Sequence, residues 1–183
     1  MISTRRYLVP LTTLTLLSAT VPAFAADGSG GSAALSATLT SGSIGSRSVT
    51  TVAPVALTTA LNSNTATGAL SVLVTEAARG GTNPWSVTAV ASALTDSGSN
   101  TIAASNLSVS GRSVVQVAGG GTAAAPSGSS SLASAATLFS NTGQSLASLY
   151  TGTYTAGGTV TLDIPNGQAV GAYTGTFTVT LVQ

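Results

Sequence analysis

The sequence contains no cysteine, no histidine and no lysine, and charged residues make up only 5% of it. Without cysteine no disulfide can stabilise the fold, so side-chain packing and strand pairing must hold it together. Without histidine and cysteine, the commonest general base and the thiolate nucleophile are both missing. The absence of lysine also excludes a Ser–Lys dyad. We therefore expect neither an enzyme nor a protein that needs a cofactor.

The four acidic residues do not form a persuasive catalytic or metal-binding set. Glu76 and Asp96 are the one pair that we consider for a two-carboxylate hydrolase, and we interpret them instead as strand-end and turn residues. The segment TDSGSN around Asp96 offers one carboxylate, whereas calcium sites usually have several. We interpret this segment as an Asx turn and predict no metal site.

The basic residues are too few and too scattered for nucleic-acid binding. All five are arginines, and Arg5 and Arg6 lie in the N-terminal segment, which leaves Arg47, Arg79 and Arg112. Neutralising phosphate groups takes clustered lysine or arginine side chains. We therefore expect no nucleic-acid partner and no electrostatic docking on a membrane.

The N-terminal segment has the three parts of a secretory signal peptide. Arg5 and Arg6 form a positive n-region, residues 8–21 form an apolar stretch interrupted by threonines, and the A-F-A tripeptide at 23–25 is a cleavage site. A membrane span needs about 20 predominantly apolar residues, which disfavours the alternative of an uncleaved anchor. We expect cleavage after Ala25, or alternatively after Ala26, secretion of the protein, and no membrane insertion of the mature chain.

The remaining chain is predicted to form one domain over residues 33–183. Residues 26–32, ADGSGGS, have the composition of a flexible lead-in, and residues 118–131, AGGGTAAAPSGSSS, that of a low-complexity loop. The segments on both sides of this loop have the same strand-like character. The loop is therefore interpreted as an insertion and not as a linker between domains.

Four segments alternate apolar and polar residues with a period of two, as half-buried strands do. They are GALSVLVTEA from Gly68, PWSVTAVAS from Pro84, GTVTLDI from Gly158 and GAYTGTFTVTLVQ from Gly171. Turn-forming residues separate them, as in RGGTNP and PNGQAVG. The pattern predicts an all-β fold, a single antiparallel β-sandwich, to which NTGQSLASLY can add one short helical turn.

Trp85, the single tryptophan, has two interpretations. It begins an alternating segment, which favours a buried aromatic in the core. The alternative is a carbohydrate-binding surface, which Tyr150 and Tyr154 can extend because an even separation places them on one face of a strand.

The same segments resemble WxL-type bacterial surface proteins. TATGALSVLVTEAARGGTNPWSVTAVAS, from Thr65, is similar to the central motif of that family, in which a strand and a Gly-rich turn lead into a Trp-x-Leu strand. GQAVGAYTGTFTVTL, from Gly167, resembles the C-terminal motif, in which a Gly-x-Tyr turn precedes the second Trp-x-Leu strand. Here Val87 replaces the first Leu, and Val179 stands where the second Trp is expected.

This resemblance implies a β-rich domain that Gram-positive bacteria export and hold non-covalently on peptidoglycan. It implies a ligand-binding set of Trp85, Val87, Tyr173, Val179 and Leu181, of which Trp85, Tyr173 and Leu181 match the family directly. The expected function is a non-catalytic surface protein whose partner is peptidoglycan or another cell-surface protein.

The alternative function is a pilus-like or coat-like structural or adhesin subunit that self-associates by β-strand pairing. In that case the segment SAALSATLTSGS, residues 32–43, is donated to another subunit. The simpler interpretation of the same segment is the first strand of its own sheet.

Overall fold

The structure, a computed structural model, describes residues 32–40, 47–52, 55–59, 63–76, 84–119, 123–141, 152–169 and 171–182. Within these ranges the chain forms 13 β-strands and one short 3-10 helix, Ala104–Asn106. Strand pairing connects all the strands into one continuous sheet, which divides at the third strand into two layers, called here the first and the second sheet. The two layers pack face to face, which confirms the predicted all-β sandwich.

The first sheet contains, in order across it, β2 (Arg47–Val52), β4 (Thr65–Glu76), β12 (Gly152–Asp163), β8 (Leu107–Gly119) and β10 (Ser130–Ser131). The long strand β12 lies at its centre and pairs with β4 and β8 on its two sides. β2 pairs with one half of β4, and β10 pairs with one end of β8.

The second sheet contains β1 (Ser32–Thr40), β13 (Thr174–Val182), β5 (Trp85–Ala91), β11 (Ala136–Asn141) and β9 (Ala123–Ala124). The short strands β6 (Leu94–Thr95) and β7 (Thr101–Ile102) pair with each other beside the start of β13. β1 and β13 run parallel, unlike the other strand pairs of the described residues. The structure therefore places β1 in the sheet of its own chain; residues 41–43 of the segment considered for donation lie outside the described residues.

Backbone hydrogen bonds connect the first sheet with the second at both sides of the sandwich. β3 (Val55–Thr59) pairs with β1 of the second sheet and with β4 of the first. Its close approach explains Gly68 of β4, where a Cβ atom would overlap the carbonyl oxygen of Ala56. On the other side, Leu132 donates its N–H to Leu107 of β8 and accepts a hydrogen bond from Ala91 of β5.

The apolar positions of the four predicted strands face the space between the sheets, which confirms their alternation. In β5, buried side chains alternate with half-buried ones along the whole strand, and β13 shows the same pattern from Phe177 to Leu181. Burial of these side chains is the main stabilising contribution, because it removes apolar area from water. The larger core side chains include Leu35, Val55, Leu57, Leu70, Val72, Val74, Trp85, Phe139, Tyr154, Val160, Leu162, Tyr173 and Phe177.

The segment predicted as a loop, residues 118–131, differs from that expectation in part. β8 continues through Gly119, and the residues of β9 and β10 are paired strands. The Arg112 guanidinium also donates to the carbonyl oxygens of Ser127 and Gly128, at 3.2 and 3.3 Å. Small polar residues suit a loop or an outer strand equally well, so composition could not distinguish them.

Other predicted segments lie wholly or largely outside the described residues. These are the signal peptide at 1–25, the lead-in apart from Ser32, and the helical turn at 141–150 apart from Asn141, which ends β11. In the described ranges, no helix is long and apolar enough to cross a membrane.

Candidate functional site

Four of the five predicted binding residues lie together on the inner face of the second sheet. β5 and β13 are neighbouring strands, and their register places Val87 directly opposite Leu181. Val179 and Trp85 share the same inner face of these strands. Tyr173 is separate, because it precedes the opposite end of β13.

All five of these side chains belong to the hydrophobic core. Trp85 is 2% exposed and Tyr173 1%, and the other three are equally enclosed. The interpretation of Trp85 as a core aromatic is confirmed; Tyr154 is buried as well, and Tyr150 lies outside the described residues. Such side chains present almost no surface to a polysaccharide in this conformation. A binding role for the five residues stays a prediction.

Trp85 packs in an aromatic cluster at one end of the sandwich, the Trp85 end. Its ring centroid lies 5.6 Å from that of Phe139 and 5.4 Å from that of Tyr154, both in edge-to-face arrangements. Asn141, opposite Trp85 on β11, donates from Nδ2 to the Tyr154 hydroxyl at 3.1 Å. No sequence pattern indicated that Phe139 and Asn141 belong to this cluster. Their contacts arise only when β11 pairs with β5 and when β12 of the first sheet packs against these strands.

Two buried polar atoms of this cluster have no hydrogen-bond partner in the part of the chain that the structure describes. They are Nε1 of Trp85 and Oδ1 of Asn141. Each unpaired group costs about 1–3 kcal/mol. Burial of an aromatic side chain, at roughly 150 Å² or more and about 25 cal/mol per Å², contributes on the order of 4 kcal/mol. Three packed rings therefore offset the cost.

Tyr173 lies directly before β13 at the opposite end of the sandwich, the Tyr173 end. Its hydroxyl donates to the carbonyl oxygen of Ala169 at 2.8 Å and accepts a hydrogen bond from Nε2 of Gln168 at 2.6 Å. A tyrosine that bonds the backbone a few residues upstream forms a tyrosine corner, which fixes a bend before a strand. The Gly-x-Tyr segment therefore sets the position where β13 begins.

Asp96 also lies at the Tyr173 end, one residue after β6. Its Oδ1 accepts from the backbone N–H of Asn100 at 2.7 Å, and its Oδ2 accepts from Nδ2 of Asn100 at 2.8 Å. The turn that the sequence predicts at Asp96 is present, and it is closed by hydrogen bonds to Asn100, four residues along the chain. The side-chain hydrogen bond from Asn100 lowers the pKa of Asp96 below its ordinary value of 3.8. Across the described ranges, no three His, Cys, Asp or Glu side chains lie close enough to hold a metal ion.

The outer face of the first sheet carries small, mostly hydroxylated side chains in five rows across its three long strands, and we call these five rows the hydroxyl face. The exposed, charged Asp163 ends β12 opposite Thr65, one row beyond them. Pairing of β8, β12 and β4 aligns the outward residues in five rows, and none of these residues is buried. The rows are Ser108, Thr161 and Thr67; Ser110, Thr159 and Ala69; Ser113, Gly157 and Ser71; Val115, Thr155 and Leu73; and Ala118, Thr153 and Thr75.

Strand geometry gives the hydroxyl face a regular spacing. Neighbouring strands lie about 4.8 Å apart, and alternate residues along one strand are about 6.7 Å apart. The alternation of GTVTLDI indicated Thr159 and Thr161 as outward residues. The sequence did not indicate the whole face, because β8 was not predicted as a strand and because the register of three distant segments creates the rows.

No protein-family model matches the chain, and no curated protein sequence matches it either. The similarity to WxL-type proteins therefore remains a resemblance in the two quoted motifs. A function has to be proposed from the residues of this chain and their geometry.

Proposed function

We propose that this chain is a secreted, non-catalytic bacterial surface protein that associates non-covalently with peptidoglycan. The observation that supports this proposal is the hydroxyl face, whose five rows contain no charged residue and are bordered at one end by Asp163. The secretory signal in the sequence and the scarcity of acid–base side chains agree with such a role.

The chemistry of the hydroxyl face suits a glycan. Each Ser or Thr hydroxyl can donate one hydrogen bond and accept others, as the hydroxyl and amide groups of a polysaccharide do. One such bond contributes only about 0.5–1.5 kcal/mol net, so useful affinity needs several rows at once. Because no ion is desolvated on this face, binding does not have to overcome the large cost of burying a charge.

In this proposal the five residues that the resemblance singled out do not contact the glycan and instead stabilise the fold that carries the hydroxyl face. Trp85, Val87, Val179 and Leu181 stabilise the inner face of the second sheet, and Tyr173 fixes the turn before β13. Other cell-surface proteins are the alternative partner of the hydroxyl face, and a direct binding assay distinguishes the two.

The first experiment is co-sedimentation of the secreted protein with purified peptidoglycan sacculi. The double variant Ser71→Lys/Thr159→Lys places two positive charges at the centre of the hydroxyl face, where both residues are exposed. The matched control is the double variant Thr101→Lys/Thr95→Lys, which places two charges at the exposed positions of the paired strands β6 and β7. We expect the wild type and the control to sediment with sacculi and the face variant to remain in the supernatant. No sedimentation of the wild type would contradict the proposal.

A second arm separates the hydroxyl face from the predicted aromatic site. Trp85→Phe keeps an aromatic ring in the core, so its folding can be checked by thermal melting. We expect this folded variant to bind sacculi like the wild type. We also expect binding to change little between about 0.05 and 0.5 M salt, because an uncharged face is not screened. Loss of binding in folded Trp85→Phe would place the site at the Trp85 end instead.

A further inference from the structure

Asn166 and Gly167 form the one Asn-Gly pair of the sequence, and they lie in the turn between β12 and β13. Every other asparagine precedes serine, threonine, proline or leucine. The backbone nitrogen of the residue after an asparagine can attack the side-chain amide, and a bulky side chain on that residue hinders the approach. Glycine has no such side chain, so Asn166 is the asparagine whose sequence context favours this reaction most.

This turn is open to water. Asn166 and Gly167 are both exposed, and a Cβ atom at Gly167 would meet no other atom within 4 Å. The φ of Gly167 is 77°, and the N–H of Gln168 donates to the carbonyl oxygen of Pro165 at 3.2 Å, as in a type II turn. Among the described residues, none accepts a hydrogen bond from the N–H of Gly167. Hydroxide can therefore reach this N–H.

The side-chain amide of Asn166 is held by Asn64, which directly precedes β4. Oδ1 of Asn166 accepts a hydrogen bond from Nδ2 of Asn64 at 3.1 Å, and the carbonyl oxygen of Asn64 accepts from the N–H of Ile164 at 2.7 Å. A donor on Oδ1 stabilises the negative charge that develops on this oxygen when the amide carbon is attacked. Asn64 therefore both positions and activates the amide of Asn166.

We propose that Asn166 is a site of spontaneous deamidation. The nitrogen of Gly167 loses its proton to hydroxide and attacks Cγ of Asn166, so that a C–N bond forms and Nδ2 leaves as ammonia. Water then opens the resulting five-membered succinimide at one of its two carbonyl carbons, which gives aspartate or isoaspartate. The reaction consumes only water and is promoted by base. It needs no enzyme and does not depend on the proposed association with peptidoglycan.

The two products affect the turn differently. Aspartate keeps the backbone and presents a carboxylate to Nδ2 of Asn64, and a hydrogen bond to a charged acceptor is stronger than one to a neutral acceptor. Isoaspartate leads the backbone through the former side chain and lengthens it by one methylene, which disrupts the hydrogen bond between Gln168 and Pro165. Because Nε2 of Gln168 also donates to the hydroxyl of Tyr173, at 2.6 Å, isoaspartate weakens the Tyr173 end.

Incubation of the folded protein in mildly alkaline buffer tests the reaction. Isoelectric focusing follows the charge, and peptide mapping with an isoaspartate-specific methyltransferase locates the product. We expect an acidic form with one additional negative charge at position 166, which accumulates faster at higher pH.

Two serine variants provide the control for this experiment. Asn166→Ser should not accumulate the acidic form, whereas Asn100→Ser, at another exposed turn asparagine, should accumulate it at the wild-type rate. A wild type that keeps its charge, or an acidic form that Asn166→Ser accumulates equally, would overturn the proposal.

Two further variants test the role of Asn64 and the effect on the Tyr173 end. Asn64→Ser removes the donor to Oδ1 and should slow the conversion by about two- to tenfold, the factor that one hydrogen bond contributes. Asn166→Asp reproduces the aspartate product and should keep the Tm of fresh wild type, whereas incubated protein that contains isoaspartate should melt at a lower temperature. An unchanged rate in Asn64→Ser would exclude activation by this residue. An isoaspartate form that melts like Asn166→Asp would exclude an effect on the Tyr173 end.

Discussion

The Trp85 end and the Tyr173 end of the sandwich are stabilised in different ways. At the Trp85 end, three aromatic rings pack together and two buried polar atoms, on Trp85 and Asn141, have no partner among the described residues. At the Tyr173 end, the hydroxyl of Tyr173 and both carboxylate oxygens of Asp96 form hydrogen bonds within turns.

The difference shows where hydrogen bonding is needed most in a low-charge protein. A turn close to water has little apolar area to bury, so its shape depends on specific hydrogen bonds. An aromatic cluster gains enough from burial to tolerate an unpaired group. Trp85 of the first motif in the WxL resemblance therefore supplies packing at one end, and the Gly-x-Tyr segment of the second motif supplies hydrogen bonds at the other.

The largest effect is expected at the Trp85 end. Trp85→Ala removes the ring that contacts both Phe139 and Tyr154, and should lower the free energy of unfolding by about 3–5 kcal/mol. Val182→Ala, at an exposed position, should change it by less than about 0.5 kcal/mol. Urea denaturation measures both. A loss below about 2 kcal/mol for Trp85→Ala would mean that the aromatic cluster is not the main support of this end.

Tyr154→Phe tests the polar group inside the same cluster. It leaves Nδ2 of Asn141 buried without its hydroxyl partner, which should cost about 1–3 kcal/mol. Tyr154→Phe/Asn141→Leu removes both partners and also the unpaired Oδ1, so it should be more stable than Tyr154→Phe alone. The same urea experiment compares them. A double variant less stable than the single one would show that Asn141 makes a further contribution.

Tyr173→Phe applies the same chemical change at the other end and should cost less, about 0.5–1.5 kcal/mol. Ala169 is exposed and Gln168 half-buried, so water can replace the lost hydroxyl. The Tm differences of Tyr173→Phe and Tyr154→Phe give the comparison directly. If Tyr173→Phe were the more damaging, the tyrosine corner would matter more than the core hydrogen bond.

The smallest effect is a pH dependence at Asp96. Because its folded-state pKa lies below 3.8, ionised Asp96 stabilises the fold above that pH, and the contribution is lost as pH falls through the folded-state pKa. The Tm difference between wild type and Asp96→Ala should therefore be constant near neutral pH and shrink toward about pH 2. A difference that does not change with pH would show that the carboxylate charge is not involved.

The sequence predicted local features well. The faces of β4, β5, β12 and β13 and the turn at Asp96 follow from alternation and from the short reach of an Asx side chain, which are properties of neighbouring residues. β8 was missed because its small polar residues and its bulge at Gly111 interrupt the alternation. The hydroxyl face was not predictable for the same reason, because one residue of each of its five rows lies on β8.

The sequence by itself therefore determined the fold class, which strand faces are apolar, and that cysteine, histidine and lysine are absent. The tertiary structure decided which strands are neighbours: the parallel pair β1–β13, the crossing of β3 over Gly68, and the contact of Trp85 with Tyr154. The physical reason is that alternation reflects the geometry of adjacent residues, whereas pairing brings together segments far apart in the chain. Many partners satisfy the same alternation, and only packing of the complete chain selects among them.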